Sequence, residues 1–364
     1  MLIGIDASRA VAHKRTGTEA YALILIQHLI SLATAQGDTI RLYFNQPPAV
    51  NLFPTNDLVE HVVIPFPRMW THLRLGAELL LRPPDIFFTP AHVIPWSWFG
   101  RSMATVHDLG YEYFPEAHTV KQVRYLRWST KHNARRSQVV LADSHATKRD
   151  LVEFYKISPS KISVVYPGVD PVLLREAPST QPLKRKRPYL LFLSTIQPRK
   201  NIGRIIESFA AMASQIPHDL ILAGQIGWRS DAILAQIETL PLRVKERIIL
   251  LGFVPDDEKI ALIKGASAFI YPSLNEGFGF PLLEANGCGV PVITANSSSL
   301  AELAETGGAL TIDPENVSEL TAAILQVLED EVLRQQLITQ GYANVKRFSW
   351  RIAAETVLGL MGNG

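Results

Sequence analysis

Residues 271–295 read YPSLNEGFGFPLLEANGCGVPVITA, and this stretch decides the fold. It begins as the end of an apolar strand and continues through a loop that holds Gly277 and Gly279. Pro281 stands where a helix can begin, because proline has a fixed φ and its missing N–H is not needed in the first turn. The pattern predicts a short helix that ends at Gly287, followed by a second apolar strand. Strand, loop, helix and strand in this order indicate an α/β fold.

A glycine loop between a strand and a helix is a recurring site for a bound phosphate. Glycines let the backbone approach the ligand, and the free N–H groups and the helix dipole favour its negative charge. Glu276 lies just before the glycines, and Glu284 is expected in the first helical turn, among apolar neighbours such as Phe278 and Phe280. A tight βα connection with one acid near a helix start is the alternative. The two flanking carboxylates favour a ligand site.

Composition limits the classes of function. A chain of 364 residues suggests two domains or one large α/β unit, and 47% apolar residues suffice for a sizeable core. The net charge of +2 is too small to argue for a nucleic-acid partner. Cys288 is the single cysteine, which excludes an intramolecular disulfide and fits a reducing compartment. At an apolar helix end it is expected to be packed and inert.

The N-terminus, MLIGIDASR, lacks a basic start and a long apolar core, so we expect no signal peptide. No apolar run approaches the roughly 18–20 residues that cross a bilayer. These features predict a soluble protein, which can still rest on a membrane surface. No group of His, Asp and Glu residues has a convincing metal-ligand spacing, so no metal ion is expected.

Short apolar runs alternate with helical patterns along the chain, which predicts parallel sheets covered by helices. The polar and basic stretch 176–188 reads as an interdomain linker. The predicted strands are Leu2–Ile5, Ile40–Phe44, Val62–Ile64, Ile86–Thr89, Met103–Val106, Val139–Ala142, Ile162–Val165, Tyr189–Ser194, Asp219–Gly224, Ile248–Leu251, Ala268–Tyr271, residues 291–295 and Ala309–Ile312.

Several polar residues follow predicted strands, where open α/β sheets bind their ligands. Gly17 lies in the strand-to-helix loop 16–18, for which a plain helix cap by Thr16 or Thr18 is the alternative. His107 stands at the tip of a buried strand. Arg199 and Lys200 follow another strand, and if a diphosphate leaves at this place, fixed cations would stabilise its growing negative charge. Solvated loop charges are the alternative for this pair.

The helix predicted over residues 120–137 carries a basic side. A solvated face is the default interpretation, and a surface for anionic lipid or for a lipid-phosphate acceptor is the alternative. Three tryptophans, Trp70, Trp96 and Trp98, are expected to pack in the core, with an acceptor-side or interfacial role as the alternative. The basic residues that share one side of this helix are Lys121, Arg124, Lys131 and Arg135.

The segment from Glu276 to Glu284, EGFGFPLLE, resembles the paired-glutamate motif of the retaining, nucleotide-sugar-dependent glycosyltransferase family 4. VHDL at 106–109 and YPGVD at 166–170 are similar to further motifs of that family, so the resemblance covers nearly the whole chain. It implies the GT-B fold, in which two Rossmann-like doubly wound domains face a central cleft. Residues 1–170 would form the acceptor-binding domain and residues 171–348 the donor-binding domain, with a C-terminal helix over 349–364 crossing back onto the first domain.

The resemblance also implies site residues. The glutamate at 276 would hold sugar hydroxyls, and the glutamate at 284 would hold the ribose. Family members characteristically need no divalent metal, so no cofactor is expected. The implied catalytic residues are Glu276, His107, Arg199 and Lys200, and the implied donor-binding residues are Gly17, Ser194, Phe253, Val254, Gly277, Phe278, Gly279, Phe280 and Glu284.

The implied function is transfer of a hexose, with retention, from a nucleotide diphosphate sugar to a hydroxyl of a glycan or lipid-linked glycan. GDP-mannose is the first expectation for the donor and UDP-glucose the second, as in bacterial polysaccharide assembly. We expect a cytoplasmic enzyme that can contact an anionic membrane through residues 120–137 and that binds no nucleic acid. Two alternatives stay open: a catalytically silent nucleotide-sugar-binding scaffold, and an epimerase or phosphorylase of the same architecture.

Overall fold

The computed structural model describes residues 1–12, 17–66, 68–177 and 179–362. The chain divides into two compact units. The first unit contains Met1–Leu109, Thr119–Gly168 and Ser349–Gly364, and the second contains Gly110–His118 and Val169–Phe348. The chain therefore passes from one unit to the other after Gly168 rather than at residue 170. The placement of Gly110–His118 in the second unit is not predicted by the sequence.

The first unit is built on a parallel sheet. In the described part of the chain it has seven strands in the order β3-β2-β1-β4-β5-β6-β7. Phe87 and Phe88 are fully buried although their side chains point to opposite faces, as expected of a sheet covered on both sides. The strands are β1 (Leu2–Asp6), β2 (Thr39–Phe44), β3 (Val59–Val63), β4 (Ile86–Thr89), β5 (Ser102–Val106), β6 (Val139–Ala142) and β7 (Ile162–Val164).

The second unit is also built on a parallel sheet, with six strands among the described residues in the order β10-β9-β8-β11-β12-β13. The strand order reverses between β8 and β11, which lie side by side in the middle of the sheet. Such a switch point, at the carboxyl ends of the strands, is where doubly wound sheets bind ligands. The strands are β8 (Tyr189–Leu193), β9 (Asp219–Ala223), β10 (Ile248–Gly252), β11 (Ala268–Tyr271), β12 (Val292–Ala295) and β13 (Ala309–Ile312).

Helices cover both sheets. Side chains at several helix starts accept backbone N–H groups, as in the capping box of Thr119 and Gln122 at the start of α4. The helices are α1 (Gly17–Ala35), α2 (Gly76–Leu81), α3 (Gly110–Tyr113), α4 (Val120–Arg136), α5 (His145–Tyr155), α6 (Pro171–Glu176), α7 (Ile202–Met212), α8 (Asp231–Glu238), α9 (Leu242–Lys245), α10 (Asp256–Lys264), α11 (Phe280–Gly287), α12 (Ser298–Ala304), α13 (Val317–Glu329), α14 (Glu331–Val345) and α15 (Trp350–Gly362).

Helix α1 differs from its prediction in two respects. Gly17 is its first residue rather than part of a loop, while the alternative cap, Thr16, lies outside the described residues. By length and composition α1 is also long and apolar enough to cross a membrane, contrary to the expectation that no such run exists. Leu25 and Ile26 are fully buried, and the ring of Tyr21 packs edge-on against Trp350 in the first unit.

The polar composition of the stretch 176–188 predicts a linker between the two units. This prediction is wrong, because the stretch does not join them. It belongs to the second unit, where the Leu183 N–H donates to the Ala261 carbonyl at 2.8 Å. The Lys264 ammonium donates to the Ala177 carbonyl. Hydrogen bonds to the backbone at Ala177 and Leu183 thus attach this mostly polar segment to the second unit, which composition alone does not show.

Two of the three tryptophans considered above pack in the core of the first unit. Trp70 and Trp98 are buried in one cluster with Tyr43 and Phe87. Trp96, in contrast, is 51% exposed. The expected core packing is therefore confirmed for two tryptophans and wrong for Trp96.

Candidate active site

The glycine loop connects the end of β11 to the start of α11. Gly279 has φ of +120°, and a Cβ at this position would lie 2.8 Å from Leu300 Cδ2. Any L side chain would therefore be strained and would meet a neighbouring helix, so only glycine fits. Pro281 stands in the first turn of α11, as predicted. The chain makes its sharp turn into the helix at the predicted place.

Serines at the start of α12 hold this loop. Ser299 is fully buried, and its hydroxyl lies 2.9 Å from the Glu276 carbonyl and 2.6 Å from the Phe278 carbonyl. The Glu276 N–H donates to Ser298 Oγ at 3.1 Å. The loop backbone is thus fixed before a ligand arrives, which reduces the cost of ordering it on binding. The sequence shows no sign of this role, because the two serines lie more than twenty residues further along the chain.

Three of the predicted site residues meet at the switch point of the second sheet. The Lys200 ammonium donates to Glu276 Oε1 in an ion pair. Arg199 Nη1 lies 3.5 Å from Glu276 Oε2 and donates to the Asn275 carbonyl at 2.6 Å. The side chains of Lys200 and Glu276 are 8% and 9% exposed. A buried carboxylate thus lies between two cations, at the point where β8 and β11 end.

The two cations control the charge of Glu276. Burial alone would raise the pKa of its carboxyl group, but the attraction of Lys200 and Arg199 outweighs burial and lowers the pKa to about 2. Glu276 is therefore ionised at neutral pH. An ionised carboxylate at this place can accept hydrogen bonds from sugar hydroxyls and can stabilise positive charge near them.

This depressed pKa predicts a pH dependence of stability. A carboxylate whose folded pKa lies below its ordinary value of 4.5 stabilises the fold above that value, and the contribution is lost as the pH falls towards about 2. We expect wild type to exceed Glu276→Gln in free energy of unfolding at about pH 7, and to lose much of this advantage by about pH 3. Urea denaturation of both proteins across this range measures the difference. A difference that stays constant with pH would contradict the assignment.

Tyr271, the last residue of β11, completes the cluster. Its hydroxyl donates to Glu276 Oε1 at 2.9 Å and accepts from Lys200 Nζ at 3.0 Å, and its side chain is buried. The Ser194 side chain is near enough to the same phenol to act in the direction of a lower pKa, so the predicted donor-binding Ser194 lies near this group. Burial, and then the charge of Glu276, raise the pKa of Tyr271, so it stays a phenol that donates. A polar residue at the end of an apolar strand is the only sequence sign of this role.

Removing the Tyr271 hydroxyl tests whether it orients Glu276. Tyr271→Phe keeps the ring and its packing but deletes the hydrogen bond to Glu276 Oε1. We expect kcat to fall by about tenfold while KM for the donor changes little, because the groups expected to contact the diphosphate are Arg199, Lys200 and the loop amides and not the phenol. Steady-state kinetics with varied donor separate the two constants. A rise in KM with unchanged kcat would assign Tyr271 to donor binding instead.

Glu284 lies apart from this cluster. The sequence predicts Glu284 in the first helical turn. Because α11 begins at Phe280, the glutamate instead stands in the second turn. Its Oε1 accepts from Lys259 Nζ at 2.9 Å, and Lys259 belongs to α10. Burial alone would lower the pKa of Lys259, but Glu284 outweighs burial and raises it. The sequence does not predict this partner, which is one of many charges on a helix.

Cys288 lies beyond this pair at the end of α11. It is buried, and burial raises the pKa of its thiol to about 12. The thiol therefore stays protonated and inert at neutral pH, as the sequence predicts.

The remaining predicted donor-binding residues differ in what they can offer. Phe278 is buried and packs against Phe280 at 5.1 Å and Phe348 at 5.6 Å, so only its backbone is available to a ligand. Phe253 and Val254 follow β10, and the Phe253 ring is 65% exposed. Gly277 is buried in the loop. The donor-binding roles of these residues stay predictions.

His107 lies in the first unit, directly after β5. Its Nδ1 donates to Asp143 Oδ2 at 2.6 Å, and its Nε2 donates to the Pro90 carbonyl at 2.9 Å. Its own carbonyl accepts from Thr147 Oγ1 at 3.1 Å. Burial alone would lower the pKa of His107, but Asp143 and the Pro90 carbonyl raise it overall. Protein groups already hold both ring nitrogens and the carbonyl, so a role towards a sugar stays a prediction.

Within residues 1–12, 17–66, 68–177 and 179–362, no three side chains of His, Cys, Asp or Glu are grouped as metal ligands. The chemistry at the glycine loop can be described by charge alone. Two cations, a row of backbone amides at a helix start and an ionised carboxylate suit a diphosphate joined to a polyhydroxylated group. That metal is not required stays a prediction.

Proteins of known family are similar to this chain in sequence. The family model for Glycosyltransferase Family 4 matches residues 16–173, and that for Glycosyl transferases group 1 matches residues 175–344. O-antigen chain mannosyltransferase B of Escherichia coli is 32% identical over 259 residues, which are 69% of this chain and 67% of that protein. Serotype-specific mannosyltransferase WbdA of Escherichia coli is 26% identical over 74% of this chain, and the match spans 34% of WbdA.

Solved structures share the architecture. The crystal structure of Anabaena HepE in complex with UDP-glucose matches with a TM-score of 0.72 and 16% identity, over 100% of this chain and 99% of that chain. At this identity the likeness concerns the fold, which consists of two parallel-sheet Rossmann-like units. From the two family models, the mannosyltransferase relative and the fold, the chain belongs to glycosyltransferase family 4 and is a glycosyltransferase of the GT-B type.

Proposed function

We propose that this protein transfers mannose from GDP-mannose to a hydroxyl of a glycan or lipid-linked glycan, with retention of the anomeric configuration. The relatives named as O-antigen and serotype-specific mannosyltransferases support mannose as the sugar and a growing polysaccharide as the acceptor. UDP-glucose is the second candidate donor, because it is the ligand of HepE.

The observation that carries the proposal is the buried ion-pair cluster of Glu276 with Lys200 and Arg199. The two cations and the amides of residues 277–280 would bind the diphosphate, and Pro281 contributes no N–H. As the bond between sugar and phosphate breaks, negative charge grows on the leaving oxygen and positive charge on the anomeric carbon. The cations stabilise the first charge and the carboxylate of Glu276 stabilises the second. Glu284 would hold the ribose hydroxyls.

Retention is proposed without a covalent intermediate. The acceptor oxygen attacks the anomeric carbon on the face that the phosphate leaves, and the leaving phosphate oxygen takes the proton of the acceptor hydroxyl. One C–O bond breaks and one forms, and no redox partner is needed. The carboxylate of Glu276, hydrogen-bonded by Lys200 and Tyr271, serves in electrostatic stabilisation and not as nucleophile.

Ligand-dependent thermal stabilisation tests the donor. We expect GDP and GDP-mannose to raise the melting temperature more than UDP, ADP or their sugars, since a ligand that binds only the folded state stabilises it. NMR of the product then reads the anomeric configuration. Release of a free epimer or sugar phosphate would favour the epimerase or phosphorylase, and binding without turnover would favour the silent scaffold. An inverted product would contradict retention.

We further propose that the enzyme acts on the cytoplasmic side of a membrane and contacts anionic lipid through α4. The support is a set of four basic side chains that are exposed on one side of this helix: Lys121, Arg124, Lys131 and Arg135. Flotation with phosphatidylglycerol vesicles, compared with phosphatidylcholine vesicles, tests the contact. Replacing the four by glutamine should abolish flotation with the anionic vesicles, and unchanged flotation would contradict the contact.

A further inference from the structure

A cluster of aromatic rings lies on the first unit, where α4 meets the loop between β4 and β5. The rings of His72 and Trp96 are stacked, with centroids 3.9 Å apart and planes inclined by 12°. Trp128 stands edge-on to Trp96 at 5.8 Å and is stacked with His132 at 5.2 Å, and Tyr125 packs beside Trp128. We call these five residues the aromatic platform.

The platform is a surface feature. Trp96, Tyr125 and Trp128 are 51%, 49% and 37% exposed, although each is large enough to stabilise a core if buried. Exposed apolar side chains that contact one another, rather than lie scattered, mark binding sites. The proposed transfer reaction at the glycine loop does not use them.

The platform is rigidly supported. Asn133 accepts from the Ile94 N–H at 3.0 Å and donates to the His92 carbonyl at 2.8 Å. His132 Nε2 donates to the Ile94 carbonyl at 3.0 Å. These bonds fix the segment that carries Trp96 against α4. A ligand would therefore bind a surface that is already ordered, so the free-energy cost of ordering the site on binding would be small.

The rings of the platform are uncharged at neutral pH. Burial lowers the pKa of His72 to about 4, with smaller contributions from His132 and His92. Burial also lowers the pKa of His132. The stacked faces are thus those of neutral aromatic rings, against which the C–H face of a sugar can pack.

A hydroxyl-binding group lies beside the platform. His92 Nδ1 is 2.9 Å from Thr71 Oγ1 and 3.3 Å from Asp6 Oδ2, and Thr71 directly precedes His72 in the chain. His92 Nε2 has no hydrogen-bond partner among the residues that the structure describes, and the side chain is 23% exposed. The contacts at Nδ1 orient the ring, so Nε2 is available to a hydroxyl.

We propose that the aromatic platform, together with His92, binds the pyranose rings of a neutral oligosaccharide acceptor. The C–H face of a pyranose packs on the negative face of an indole, and its hydroxyls reach polar groups at the edge of the ring. Trp96 offers such a face and His92 such a polar group. This inference rests on the proposed function, which requires a polyhydroxylated acceptor, and it assigns the acceptor chain a site on the first unit.

Direct binding of linear α-mannotetraose, titrated by NMR without any donor, tests the proposal. In wild type we expect the indole N–H signals of Trp96 and Trp128 to shift. Trp96→Ala should weaken the affinity by about tenfold, and Trp96→Tyr, which restores a stacking ring, should recover most of it. Phe99→Ala is the matched control, because Phe99 is 77% exposed on the same unit but outside the platform. It should bind mannotetraose as wild type does.

Two results would overturn the proposal. One is a wild-type protein whose tryptophan signals do not respond to mannotetraose. The other is a Trp96→Ala protein that has a native circular dichroism spectrum and binds mannotetraose as wild type does. If that variant also loses flotation with anionic vesicles, the platform contacts the lipid surface instead. Since GDP binding is measured separately, failure of the donor proposal leaves this test intact.

Discussion

Replacing Glu276 by glutamine is expected to reduce the rate of sugar transfer by about 10³-fold. The amide has nearly the shape of the carboxylate but carries no charge to balance the positive charge that develops at the anomeric carbon. Removing a preorganised electrostatic partner raises the free energy of the transition state. We therefore expect a lower kcat rather than only a weaker affinity for the substrate. Single-turnover kinetics with GDP-mannose and an oligosaccharide acceptor measure the loss.

The same substitution should tighten the binding of nucleoside diphosphate. In Glu276→Gln the cations Lys200 and Arg199 lose the carboxylate that they now contact, and a diphosphate can take its place. Calorimetric titration with GDP measures this effect, and Glu329→Gln, at the exposed end of α13, is the control that should match wild type in rate and affinity. A Glu276→Gln enzyme that transfers sugar at the wild-type rate would remove Glu276 from the mechanism.

Replacing Lys200 by methionine should weaken GDP binding by about 10²-fold and slow transfer as well. The variant keeps an unbranched side chain of similar length in a buried position but deletes the ammonium that donates to Glu276 and Tyr271. The buried carboxylate, left with Arg199 at 3.5 Å, would repel the incoming diphosphate.

Calorimetric titration with GDP and transfer assays measure both effects. Lys346→Met, at the exposed end of α14, serves as the control for loss of one lysine charge. Unchanged GDP affinity in Lys200→Met, with only the rate reduced, would show that the diphosphate does not contact this lysine.

The strands could be predicted because parallel strands that are buried on both faces appear in the sequence as continuous runs of apolar residues. Residues 268–271 and 86–89 form strands with the predicted bounds. Chain order then placed residues 194–200 and 272–280 at strand ends, and the adjacency of β8 and β11 brings Lys200 to Glu276. Strand patterns together with the fold thus account for the meeting of Lys200 and Glu276, while their roles stay predictions that rest on the family resemblance.

Partners that meet only in space could not be predicted. Ser299 reaches the glycine loop from the next helix, and Lys259 reaches Glu284 from the preceding one, yet neither pairing leaves a pattern in the sequence. Trp96 was expected in the core because most tryptophans are packed, and only the fold shows that its neighbours are other exposed rings. Gly17 was expected in a loop but is the first residue of α1. The helix begins before the first residue of the apolar spacing from which it was predicted.

A crystal structure of the enzyme with GDP tests the central claim most directly. The account predicts the diphosphate at the glycine loop, with its oxygens within hydrogen-bonding distance of Lys200 Nζ, the Arg199 guanidinium and the amides of residues 277–280. A diphosphate bound elsewhere, with the Lys200–Glu276 ion pair and the loop unchanged, would contradict it.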